Sequence, residues 1–126
     1  MGLPLARASI AVWRLFSDLD LREAEPRHYQ SLQECFTRRL KPGARVVDAE
    51  PSVFVSPSDG IVGECGPVSG TQVLQAKGFP YTLAELLGGD EALAERYRDG
   101  SYVTLRLTSA MYHRFHAPHD LVVDHV

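Results

Sequence analysis

No stretch of about 20 consecutive apolar residues, the length a helix needs to span a bilayer, occurs in this sequence, so a transmembrane helix is not expected. Cysteine is scarce. Cys35 and Cys65 form neither a CxxC pair nor a disulfide framework, and they read as reduced thiols of a cytosolic protein. Basic residues are not in excess either. Thirteen Lys and Arg against sixteen Asp and Glu give a formal net charge of −3, which argues against the electrostatic footprint of a nucleic-acid binder. The chain has no glycine-rich phosphate loop and no G-x-S-x-G nucleophile elbow, so neither P-loop nor serine-hydrolase chemistry is supported. Internal repeats and low-complexity segments are likewise missing.

What is present suits one modest domain: 126 residues, 44% of them hydrophobic. The opening LPLARASIAVWRLF predicts an apolar helix carrying Trp13 and Phe16, with Arg7 and Arg14 seven residues apart on one face. Such a helix either lies in a membrane interface or docks on the body of the domain. The charged stretch Ser17 to Glu25 reads as a linker, so residues 1–25 divide from residues 26–126. Ser31 and Glu34 form a capping-box pattern for a helix whose Leu32, Cys35, Phe36 and Leu40 share a face, with Lys41-Pro42-Gly43 stopping it. Arg45 to Pro51 is expected to be irregular.

From Val53 onward the texture becomes β-like. Val53-Phe54-Val55, Ile61-Val62, Gln72 to Ala76, Tyr102 to Leu107 and Leu121 to Val126 read as strands, separated by Gly- and Pro-containing turns such as SPSDG. In Tyr102 to Leu107 the residues alternate, with Val103, Leu105 and Leu107 on one face and Tyr102, Thr104 and Arg106 on the other. Thr82 and Glu85 make a second capping box, and Asp90 caps a further short helix ended by Asp99-Gly100. The expected fold class is α+β, a largely antiparallel sheet with short helices and an N-terminal amphipathic helix. A chain ending inside the apolar run Leu121 to Val126 reads as part of a larger protein.

Three of the five histidines, His113, His116 and His119, fall within MYHRFHAPHD. At three-residue spacing they resemble a transition-metal ligand set, although the same pattern fits histidines hydrogen-bonded at a strand end. An acid–base role needs a carboxylate to fix one imidazole tautomer, and Asp59 in SPSDG is the candidate; an ordinary Asp-Gly turn is the alternative. Lys77, at the end of an apolar strand, either approaches an anionic ligand or is solvated. Arg38, Arg39, Lys41 and Arg45 form a basic cluster suited to anionic headgroups or to a solvated face.

In order and approximate spacing, the blocks FTRRLKPGARVVD, VSPSDGIV, VLQAKGFPYTLAELLG and GSYVTLRLTSAMYHRFHAP resemble the phosphatidylserine decarboxylase family, from about Tyr29 to Pro118. The resemblance implies a proenzyme that cuts itself before a serine in a Leu-Gly-Ser-Thr-like motif. That serine becomes a covalent pyruvoyl group (a pyruvate cofactor), and the upstream part remains as the β chain. It implies an Asp-His-Ser cleavage constellation in which the Asp falls on Asp59 and the His on His116, while His113 serves decarboxylation. His116, held by Asp59, would be the base for serine attack on the preceding carbonyl; His113 would protonate the carbanion left when CO2 departs. Lys77, Tyr112 and Arg114 are the candidate substrate contacts.

No Leu-Gly-Ser-Thr motif and no serine after Ser109 occurs here, so the expectation is an inactive β-chain part that needs a C-terminal α-chain segment. The other implied partners are phosphatidylserine and a phospholipid membrane, with a peripheral location on the cytoplasmic side of the cytoplasmic membrane. Pairing with a second copy as a homodimer stays open. The alternatives are a metal-binding domain using His113, His116 and His119, or a non-catalytic lipid-binding remnant.

Overall fold

The computed structural model describes residues 3–74 and 80–123. The chain forms two compact units, one of Met1–Asp59 with Leu107–Val126 and one of Gly60–Arg106.

In the first unit, helix α1 (Leu3–Leu15) forms where the sequence predicts it. Ala6 and Ile10 are buried and Trp13 is half-buried, a stripe at helical spacing that faces inward, while Leu5, Val12 and Leu15 stay exposed. The Ser17 hydroxyl donates to the Trp13 carbonyl at 2.8 Å and closes the last turn. The stretch Ser17 to Glu25 is not a free linker. It buries Leu19 and Ala24, and Ala24 forms an antiparallel bridge with Leu40. Leu19 joins Ile10, Tyr29, Cys35 and Ala110 in one apolar cluster, with Trp13 and Leu21 packed on it.

Helix α2 (Leu32–Phe36) is shorter than its apolar pattern suggests. Ser31 caps it by accepting from the Glu34 amide at 3.1 Å. The Glu34 carboxylate reaches past the cap and accepts from the Gln30 amide at 2.8 Å, so the expected box closes one residue early. The helix ends at Phe36 rather than at Lys41-Pro42-Gly43. Thr37 turns its hydroxyl back onto the Gln33 carbonyl at 2.9 Å, and Leu40 is taken into the bridge with Ala24. Val53-Phe54-Val55, expected as a strand, is irregular, with Phe54 exposed. Leu121 to Val123 is also irregular, and the rest of that expected strand lies outside the described residues.

The second unit carries the regular β structure. Strands β1 (Ile61–Pro67) and β4 (Ser101–Arg106) pair antiparallel, with a register shift between Val62 and Glu64. Strands β2 (Gln72–Leu74) and β3 (Pro80–Thr82) form a second antiparallel pair. The α+β class with antiparallel pairing therefore holds, as two two-stranded sheets among the described residues. Gly60 permits close approach: a Cβ there would lie 3.1 Å from the Leu105 Cβ.

Helix α3 (Leu83–Leu86) has the complete capping box of Thr82 and Glu85, and Asp90 caps α4 (Glu91–Arg96) by accepting from the Leu93 amide at 2.8 Å. Tyr102 packs on a cluster of Val68, Val73, Leu83 and Ala94, whereas Val103 is 55% exposed. The alternation in β4 holds from Ser101 to Thr104, with Tyr102 and Thr104 as the covered residues, and breaks at Leu105, which is half-buried while Arg106 is exposed. A two-stranded ribbon packs a cluster on one face and leaves Val62 and Val103 bare on the other.

Candidate active site

All the residues of this site belong to the first unit. The turn Ser56–Asp59 is drawn in by a hydrogen bond from the Ser56 hydroxyl to the Ser58 carbonyl at 2.8 Å. It presents Asp59 to Arg45, whose Nε donates to Oδ1 at 2.8 Å and whose Nη2 donates to Oδ2 at 2.5 Å. This bidentate fork holds the Asp59 carboxyl below its ordinary pKa, against an opposing push from partial burial, with a smaller pull from Arg38. Arg45 is fixed in turn: its Nη1 donates to Glu23 Oε2 at 2.7 Å and to the Ala44 carbonyl at 2.6 Å.

The segment Tyr112 to Ala117 is irregular, neither helix nor strand. Its backbone is pinned to the Asp59 turn, because the His116 amide donates to the Pro57 carbonyl at 2.7 Å. The His116 ring shares a 2.9 Å hydrogen bond between Nε2 and the hydroxyl of Tyr112, with the two rings stacked at 15°. Arg114 donates from Nε to the Thr37 carbonyl at 3.0 Å, tying the segment to the end of α2. Asp59, Tyr112, Arg114 and His116 line one cavity of about 540 Å³, together with the cations Arg39 and Lys41.

His113 does not line that cavity. Its Nε2 lies 2.9 Å from the Thr108 carbonyl, and its ring stacks on Phe36 at a centroid distance of 3.8 Å, with Trp13 stacked beyond. A carbonyl only accepts, so His113 carries its proton on Nε2 and leaves Nδ1 to exchange protons. Lys77 lies outside the described residues.

Residues 32–126 match the family described as phosphatidylserine decarboxylase. The chain belongs to the phosphatidylserine decarboxylase family. Among its curated relatives, the phosphatidylserine decarboxylase proenzyme of Vibrio vulnificus is 44% identical over 101 residues, covering 80% of this chain and 35% of the relative. The proenzyme of Alkalilimnicola ehrlichii is 44% identical over 114 residues, covering 90% and 39%. That of Xanthomonas euvesicatoria is 46% identical over 99 residues, covering 79% and 35%. The chain thus spans little more than a third of the length of these relatives.

Within the phosphatidylserine decarboxylase frame, Asp59 and His116 line the same cavity, but each is hydrogen-bonded elsewhere: the carboxylate to Arg45, the imidazole to Tyr112. Arg45 is the residue that sequence reasoning passed over, grouping it with a basic cluster. That cluster is divided in space. Arg38 is buried, donating to the Cys35 carbonyl at 3.3 Å and to the Ala110 carbonyl at 2.9 Å, whereas Arg39 and Lys41 face the cavity. Among the described residues no three His, Cys, Asp or Glu side chains converge to hold an ion, and His119 is turned to the carbonyls of Pro51 and Asp120. Both cysteines are free thiols, Cys35 buried and Cys65 exposed.

Proposed function

We propose that this chain is the β-chain part of a pyruvoyl-dependent phosphatidylserine decarboxylase, which converts phosphatidylserine to phosphatidylethanolamine and CO2. The observation that carries this reading is the common cavity of Asp59 and His116 in a chain of that family. The pyruvoyl group would come from a serine in a C-terminal α-chain segment, the chain's first partner. It supplies a carbonyl electrophile for the substrate amine and a sink for the electrons released with CO2.

The residues present fit such a group. The cavity has room for the end of a polypeptide segment beside a polar headgroup, and it combines one imidazole, one phenol and four cations, Arg39, Lys41, Arg114 and the Asp59-bound Arg45. His116 is the base that takes the proton from the attacking serine hydroxyl, with Tyr112 fixing the ring and Asp59 favouring the imidazolium. His113 stands outside the cavity wall with its Nε2–H committed to Thr108, and its Nδ1 would be the proton-donating atom once the complete chain brings the substrate to it. Arg114, Lys41 and Arg39 suit the anionic phosphodiester, with Tyr112 as a further substrate contact.

The membrane supplies the substrate. Helix α1 exposes Leu5, Val12 and Leu15, followed by an exposed Phe16 and accompanied by Arg7 and Arg14, which supports a peripheral seat on an anionic cytoplasmic membrane face. No described helix is long and apolar enough to cross a membrane.

The test is expression of this chain joined to the remaining family length, with mass spectrometry for two chains and lipid analysis for phosphatidylethanolamine. Wild type is expected to cut and to decarboxylate. Asp59→Ala and His116→Ala should stay uncut, and His113→Ala should cut but form no product. Efficient cutting in both of the first two variants would remove their assigned roles.

A further inference from the structure

We infer that Arg45 is a positioning residue for self-cleavage, holding Asp59 in one orientation and in its ionised form so that the carboxylate can serve His116. The inference rests on the cleavage role proposed above for Asp59 and His116, and it adds a residue that role does not by itself require.

The geometry is that of a relay. Glu23 and the Ala44 carbonyl fix one end of the Arg45 guanidinium, at 2.7 Å and 2.6 Å. The other edge takes both oxygens of Asp59, one nitrogen to each. Glu23 is itself held: its carbonyl accepts from the Lys41 amide at 2.8 Å, beside the Ala24–Leu40 bridge. The charged groups acting on Asp59 are therefore Arg45 directly, Arg38 at longer range, and Glu23 through Arg45.

A carboxylate offers about four lone-pair sites and the fork occupies two, so a pair remains for an imidazole N–H. His116 is anchored to the same turn through the Pro57 carbonyl, two residues from Asp59. Arg45 and His116 thus both bear on one short segment, one through its side chain and one through its backbone. Clamped by Arg45, Asp59 keeps one side-chain orientation, with its remaining lone pairs uncommitted. A lysine in place of Arg45 would keep the charge but lose the bidentate geometry, so it should restore ionisation better than orientation.

Two measurements test this. In the 126-residue chain, the carboxyl carbon of Asp59 is titrated by NMR in wild type, Arg45→Met and Arg45→Lys. The midpoint is expected to rise in Arg45→Met and to return most of the way in Arg45→Lys. In the chain joined to the remaining family length, Arg45→Met should slow self-cleavage roughly tenfold or more at neutral pH. It should also move the acidic limb of the cleavage profile to higher pH. Arg45→Lys should restore the limb but only part of the rate, and Glu23→Gln should give a smaller loss of rate. If wild type is never cut, or Asp59→Ala cuts normally, the proposed function itself fails. If Asp59→Ala blocks cutting while Arg45→Met keeps wild-type rate and pH profile, only the role of Arg45 is overturned. A loss of rate with an unmoved limb and no rescue by lysine would make Arg45 a structural staple and would also overturn it.

Discussion

At the scale of single residues, His119 makes a distinctive pair of contacts. Its Nδ1 lies 3.1 Å from the Asp120 carbonyl and its Nε2 3.1 Å from the Pro51 carbonyl. Only the doubly protonated imidazolium can donate to both, so these contacts raise its pKa above the ordinary histidine value, the Asp120 carbonyl first and that of Pro51 second. A raised folded-state pKa contributes stability that is fully present below the unfolded value, about 6.5. That contribution is lost as pH rises through the folded value. A histidine-ring NMR titration should therefore place the His119 midpoint above about 6.5, and denaturant melts should weaken over the same pH interval in wild type but not in His119→Ala. A midpoint at or below the ordinary value would show that the two carbonyls do not hold the cation. The sequence separated the three histidines only through the order of family motifs; their hydrogen-bond partners were out of its reach. Pro51 lies 68 positions from His119, and Ala110 lies 72 from Arg38. Arg45 was illegible for the same reason, since one basic residue in a cluster of four looks like the others until folding chooses the partner of each.

At the scale of elements, what was legible was local. The Thr82–Glu85 box and the Asp90 cap depend on contacts three residues apart, and they form as the sequence predicts. In Thr82→Ala the Glu85 amide loses its acceptor, 3.2 Å away in the native helix, and the Glu85 carboxylate loses the hydroxyl donor. The expected cost is about 1 kcal/mol, read as a lower urea midpoint with faster amide exchange at Glu85. An unchanged midpoint would mean that α3 is held by packing alone. Illegible were the features that depend on distant chain. Leu40 continues the apolar stripe of α2, yet a bridge to Ala24 takes it out of the helix. The β4 alternation could not say that Tyr102, rather than Val103, would find the cluster, nor that the pattern would break at Leu105.

At the scale of the whole molecule, a small buried core coexists with much bare apolar surface. Phe115 is 84% exposed and Val122 89%, while Val46 and Phe54 are also uncovered. Isolated surface apolar residues are ordinary, but many large ones in one short chain mark a surface made for a partner. The chain spans 35–39% of the relatives described above, and the partner supported by that ratio is the remaining family length. The proposed function predicts that one assembly step buries this surface and completes the cavity around His116. The chain alone should bind a hydrophobic fluorescent dye strongly and self-associate at high concentration, as judged by light scattering. Co-expression with the C-terminal two thirds of a close relative should yield a soluble complex with several-fold less dye binding. Phe115→Asp should weaken that complex by about tenfold or more if Phe115 lies in the joint, because a buried unpaired carboxylate is strongly disfavoured. A complex that forms equally well with Phe115→Asp would place Phe115 outside the joint. Strong dye binding retained by the complex would mean that the bare apolar surface serves the membrane instead.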